Sequence, residues 1–336
     1  MDVAPGLTGD RWLLNHAVYQ PGQTAGHYES FYQRANHPTR PLAFWLRYTV
    51  FAPAGQPTKA IGELWAVVFN GETGQHAVAK LELPIEQCSF ARDAFAVRVG
   101  EATLDTEQLS GSAGQIAWDM QYTGNDDPLL LLPPKLYAGG FPKAKSLVAL
   151  PQARFAGTVS VASAQIDVDG WIGSQNHNWG TQHTERYAFG QVAGFDERPD
   201  AYLEVATAKA RIAGPLRTPW VTTLVLRENG NEHSIVGLRE TMRASAEYGY
   251  FHWDFATRNA DVEISGRLTA EPSAFVGLRY YNPPGGIKHC LNTKIAHAEV
   301  TVRDRHSGES QTLRTDNRAL FEILTDDADH GIALRA

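Results

Sequence analysis

Alternation of apolar and polar residues with a period of two runs through most of this chain and confines it to half-buried strands. Phe44, Leu46, Tyr48 and Val50 share one face of their segment. Ile116, Trp118, Met120 and Tyr122 alternate with Gln115, Ala117, Asp119 and Gln121. Tyr187, Phe189, Gln191, Ala193 and Phe195 alternate with Ala188, Gly190, Val192 and Gly194, and Trp220, Thr222, Leu224 and Leu226 follow the same rule. Turn-forming clusters separate the runs: Asn70-Gly71, Thr123-Gly124-Asn125, Glu228-Asn229-Gly230-Asn231 and Pro283-Pro284-Gly285-Gly286. Helical spacing is confined to Thr24–Arg34 and a short piece at Asp316–Leu324. The pattern predicts an all-β protein, sandwich or barrel. Ala188, Gly190 and Gly194 would let another backbone or a ligand come close to their strand.

A chain of 336 residues is comfortable for two domains and buries a large core. Its net charge is −7 and no Lys/Arg block stands out, which argues against a nucleic-acid or anionic-membrane surface. Met1 to Gly6 show neither a basic nor an apolar leader region, and the aliphatic run Leu129 to Leu132 is too short to span a bilayer. A cytoplasmic location is the expectation, with Cys88 and Cys290 as free thiols. No cysteine spacing suits zinc, and neither a Gly-x-Gly-x-x-Gly turn nor a phosphate-binding loop is present, so no metal and no cofactor are expected.

Chemistry concentrates in residues 171–191, which hold two imidazoles, two indoles, several carboxamides, a carboxylate and a guanidinium. Aromatic walls with convergent polar groups suit an apolar ligand. His177 is either a general acid/base or a structural imidazole bonded to a neighbouring carbonyl. Trp179, two residues on and sharing its strand face, either stacks on a ligand or fills the barrel. Trp171 and Phe189 extend the aromatic wall, with packing the simpler role for Trp171. Asn176 and Asn178 point to the opposite face; Asn176 could orient a water, while Asn178 closes local structure. Tyr202 and Glu204 share a face on the next strand, where a carboxyl among aromatic rings would have a raised pKa and could deliver a proton. His177 and His183 could share a face, and a metal site would then need a third ligand such as Glu185 or His16, but no tight spacing supports one. His252 and Asp254 also share a face and read as a surface pair, since no nucleophile motif accompanies them.

The stretch Asn176-His177-Asn178-Trp179-Gly180, with Phe44-Trp45-Leu46-Arg47-Tyr48-Thr49 and Cys290-Leu291-Asn292-Thr293-Lys294-Ile295-Ala296 in support, resembles the carotenoid 1,2-hydratase (hydroxyneurosporene synthase) and AttH-like superfamily, related in fold to tocopherol cyclase-like proteins. The resemblance implies two lipocalin-like antiparallel β-barrel domains, 1–214 and 215–336, with the signature in the first. It places the boundary at Gly214-Pro215 rather than in the proline-rich interruption Asp127–Pro151. It further implies a cofactor-free hydratase, isomerase or cyclase for an isoprenoid-like or other apolar small molecule. His177, Glu204 and Tyr202 would be catalytic, and Asn176, Trp179, Trp171 and Phe189 would bind substrate. Asn176 departs from the acidic residue that usually precedes the histidine and would act as a donor rather than a proton source. A non-catalytic carrier of an apolar ligand is the alternative.

Overall fold

A computed structural model of the chain describes residues 15–209, 211–213 and 216–336. It is nearly all β, as the alternation requires, with two curled antiparallel sheets: one a nearly closed barrel, the other a half-barrel. The only α-helices among the described residues are the short pieces Lys135–Ala138 and Leu238–Arg243. Both stretches read as helical are strand. His27–Asn36, and Ser310–Thr325 from Arg318 onward, are buried on both faces, so their apolar residues lose the simple alternation and mimic a helical period.

The first sheet contains every strand from His27 to Gly180, and the second contains those from Arg186 onward except for the small pair near 211–217. Hydrogen bonding therefore changes sheet between Gly180 and Arg186. The strands holding Phe189 and Glu204 belong to the second sheet. Gly214 and Pro215, the expected boundary, lie outside the described residues, as do Met1 to Gly6.

The interior of the first barrel is packed by Phe31, Phe44, Tyr48, Trp118, Phe155 and Trp171 among others, and the half-barrel by Leu203, Leu224, Trp253 and Phe321. A third layer lies between the sheets, where Trp45, Trp65 and Phe69 of the first meet Leu278, Tyr280 and Cys290 of the second. The strand Trp171–Gly180 is central to this arrangement, with one face in the first barrel and the other against the second sheet. Gly173 is required there, because a Cβ would sit 1.8 Å from the Arg34 carbonyl oxygen. Gly190 answers to packing rather than to a ligand: a Cβ at that position would meet Leu268 and Trp253. Both thiols are free, with Cys290 buried between the sheets.

Candidate functional site between the sheets

Because side chains alternate along Trp171–Gly180, its chemistry divides between two compartments. Trp171, Gln175, His177 and Trp179 face the first barrel. Ser174, Asn176 and Asn178 face the second sheet.

In the barrel, His177 Nε2 lies 2.7 Å from Glu29 Oε1, and His27 Nε2 lies 3.0 Å from Glu29 Oε2. The same carboxylate accepts the backbone N–H groups of Val18 and Tyr19, each at 2.7 Å. Burial pushes the Glu29 carboxyl up, but the bonds from His177 and His27 outweigh it and hold the group at about 2. His177 is sandwiched between Phe31 and Trp179, with ring centroids 4.3 and 4.5 Å away. Trp171 stacks on Phe44 in the hydrophobic core. These groups tie the segment around Val18 to the barrel wall.

Between the sheets, Gln191 joins both halves. Its Oε1 accepts from Ser174 Oγ at 3.2 Å and Arg34 Nε at 3.3 Å, while its Nε2 donates to Asn176 Oδ1 at 2.7 Å and Glu204 Oε2 at 3.4 Å. Arg34 Nη1 also donates to Asn36 Oδ1 at 2.8 Å. Tyr202 and Arg34 lie beside each other, fully buried, and the Tyr202 hydroxyl interacts with both Arg34 and Ser174. Burial pushes the Glu204 carboxyl up to about 8; the Gln191 amide and the Arg34 charge only partly offset it.

Directly above this network is a cavity of about 340 Å³. Its walls are mostly apolar, including Leu131, Leu136, Phe189, Ala206, Val221 and Val236. Its polar lining includes Arg47, Lys145, Glu322, Asn178, the tyrosines Tyr28, Tyr32, Tyr187 and Tyr280, and several serine and threonine hydroxyls. Glu204 does not line the cavity itself; register puts it one inward-facing pair beyond the lining pair Phe189 and Ala206, opposite Gln191. Tyr32 lines the cavity and feels the charges of both Glu204 and Glu322. Glu322 itself is engaged, accepting from Lys294 Nζ at 3.1 Å and from Asn292 Nδ2.

The expected site residues thus fall into two sets. Asn176, Phe189, Tyr202 and Glu204 meet at the sheet interface; His177, Trp179 and Trp171 lie behind the central strand, in the other compartment. Neither His177 nor Glu204 is among the residues lining the cavity between the sheets. Sequence reasoning missed Gln191 and Arg34. The signal for Gln191 was a carboxamide occupying an inward position in the run Tyr187, Phe189, Gln191; Arg34 was obscured by the helical reading of its segment. Asn178, read as structural, lines the cavity with its Oδ1 unpartnered among the described residues. His183 stacks on Tyr28 at 3.9 Å, and burial drives it down to about 3, so it is a neutral wedge. Glu185 pairs with Arg217 at 2.6 Å. His252 and Asp254 do not form the expected pair: Asp254 bonds Arg267 at 2.6 Å, and His252 is exposed. Among the described residues, no group of three or more His, Cys, Asp or Glu side chains could hold a metal ion, and no helix is long and apolar enough to cross a membrane.

No family model matches the chain. Two uncharacterized proteins of Mycobacterium tuberculosis, from strains CDC 1551/Oshkosh and H37Rv, are each 24% identical over 284 residues, covering 84% of this chain and 83% of theirs. Among solved structures, a putative AttH from Nitrosomonas europaea superposes with a TM-score of 0.55 at 11% identity, covering 97% of this chain and 99% of its own. Kievitone hydratase from Nectria haematococca gives 0.56 at 10%, with 91% of each chain covered. CghA gives 0.56 at 12%, with 94% of this chain and 97% of its own covered. These likenesses show the fold.

Proposed function

We propose that the protein is a cofactor-free acid/base enzyme that hydrates, isomerises or cyclises an apolar small molecule in the cavity between its sheets, with Glu204 as the acid. The observation that carries this reading is a fully buried carboxyl, held protonated near neutral pH, one inward-facing pair beyond the lining of a mostly apolar cavity. A group poised in this way suits proton delivery to an alkene or carbonyl.

In a hydration, the Glu204 O–H proton goes to one alkene carbon, leaving a carboxylate and a cation on the neighbouring carbon. Water then forms the new C–O bond, and its surplus proton returns to Glu204. In an isomerisation, the cation instead loses a proton from an adjacent carbon to the Glu204 carboxylate, which is thereby restored to the acid. The carboxylate formed in either case lies in the field of Arg34, which lowers its cost. The faces of Tyr32 and Phe189 shield the cation. Gln191 and Asn176 are positioning residues that hold Glu204 in place. His177, Trp179 and Trp171 serve the barrel that supports this wall. Names given to structures of the same fold, a hydratase among them, agree with this chemistry.

The test is to incubate wild type and Glu204→Gln with an organic extract of the source cells and follow the compounds by liquid chromatography and mass spectrometry. The expected result is a compound that gains the mass of one water, or moves in retention at constant mass, with wild type only. A compound retained by both proteins and altered by neither would identify a carrier instead.

A further inference from the structure

We propose, resting on the inter-sheet cavity as the ligand site, that its ligand is an organic anion, an apolar molecule bearing one acidic group of the carboxylate kind, and that Arg47 receives that group. Arg47 projects from the strand Leu42–Ala52 into the cavity wall and is 4% exposed. Its guanidinium lies 4.4 Å over the Tyr280 ring and 5.9 Å from that of Trp45. Nη2 donates to Ser30 Oγ at 2.6 Å, while Nε is sealed from solvent and has no partner among the described residues. Aromatic faces favour a cation but do not neutralise it.

The surrounding carboxylates are already taken. Glu63 is held by Lys80 at 2.7 Å, and Glu322 by Lys294 and Asn292. Arg34, deeper in the same layer, also lacks a carboxylate within ion-pairing distance among the described residues. Arg34, Arg47, Lys80, Lys145 and Lys294 are therefore set against Glu63, Glu82, Glu322 and Glu204, and Glu204 is neutral below about pH 8. The layer keeps surplus positive charge although the whole chain carries −7. Glu63 and Glu322 act on Arg47 from a distance and favour its charge, but neither carboxylate bonds it directly; a guanidinium with an unpartnered N–H at a cavity wall points to an acceptor that arrives with the ligand. A planar fork of donors beside apolar walls selects a carboxylate-like head on an apolar body.

Two fluorescent dyes of one scaffold separate the charge from the shape: N-phenyl-1-naphthylamine is neutral, and 8-anilinonaphthalene-1-sulfonate adds a single acidic group. Wild type should bind the sulfonate at least about tenfold more tightly, and Arg47→Met should abolish that preference while leaving the neutral dye within about twofold. Ala206→Trp, which fills the cavity, should remove both. Equal affinities in wild type, or a preference that survives Arg47→Met, would overturn the anion assignment and leave the cavity reading standing. Failure of both dyes to bind wild type would overturn the cavity reading and this one with it. If Arg47→Met does not fold, the ratio in wild type decides alone.

Discussion

Asn176 and His177 are adjacent in sequence and serve opposite sides of one sheet. His177 Nε2 is 2.7 Å from Glu29 Oε1 inside the first barrel, whereas Asn176 Oδ1 is 2.7 Å from Gln191 Nε2 between the sheets. One strand therefore anchors two polar clusters with opposite electrostatics. Glu29 is a carboxylate held ionised by imidazoles and backbone N–H groups, and Glu204 is a carboxyl held protonated by burial.

Glu29 should make the protein acid-sensitive. A carboxyl lowered to about 2 on folding stabilises the native state fully above its unfolded value of 4.5, and that contribution disappears as pH falls from there toward 2. Glu29→Gln should cost about 3 kcal/mol at neutral pH, as breaking a buried ionic contact does. The difference from wild type should shrink below pH ~4. Urea unfolding across the acid range reads both effects.

Glu204 should act with the opposite sign. A carboxyl raised to about 8 binds a proton in the native state that the unfolded chain has released, so wild type loses stability as pH rises from 4.5 to 8. The loss is at most about 1.4 kcal/mol per pH unit for one proton. Glu204→Gln removes this slope and should become the more stable protein toward pH 8. Parallel denaturant titrations of the two proteins check the crossing.

Trp171 separates packing from function. It stacks on Phe44 in the barrel core and does not line the inter-sheet cavity. Trp171→Ala should cost about 3–5 kcal/mol in stability. Affinity of the folded fraction for N-phenyl-1-naphthylamine should be unchanged, and a loss of affinity without a loss of stability would return Trp171 to the site.

Gln191 should matter more than a surface carboxamide. Gln191→Leu leaves Ser174, Arg34 and Asn176 short of a partner in a dry layer, at about 1–3 kcal/mol for each buried group stranded. A melting temperature within a degree or so of wild type would contradict the hub role, since about 1 kcal/mol already moves a domain by several degrees.

Much of this was legible in the chain. Strict alternation in Ile116–Tyr122 identifies a strand with one inward face, the alternation in Phe44–Val50 identifies a strand but not the burial of its second face between the sheets, and the same rule separates His177 and Trp179 from Asn176 and Asn178. It could not say which compartment each face enters, because that depends on the long-range pairing of His27–Asn36 with Trp171–Gly180. The strands read as helix, at Thr24–Arg34 and Asp316–Leu324, failed for a physical reason: with both faces buried, polarity no longer marks a side. Glu29, Arg34 and Gln191 were unreadable as partners of the signature, since the first two reach it from His27–Asn36 and the third from Arg186–Ala193.

The most direct measurement is the titration of Glu204 itself. Carbon-detected NMR of protein labelled at the glutamate side-chain carboxyl, with the resonance assigned by its loss in Glu204→Gln, follows this one group through the pH range. The predicted result is a carboxyl protonated at pH 7 with a midpoint near 8. A midpoint in the ordinary carboxylate range, about 4.3, would show that Glu204 holds no proton to deliver and would contradict its assignment as the acid.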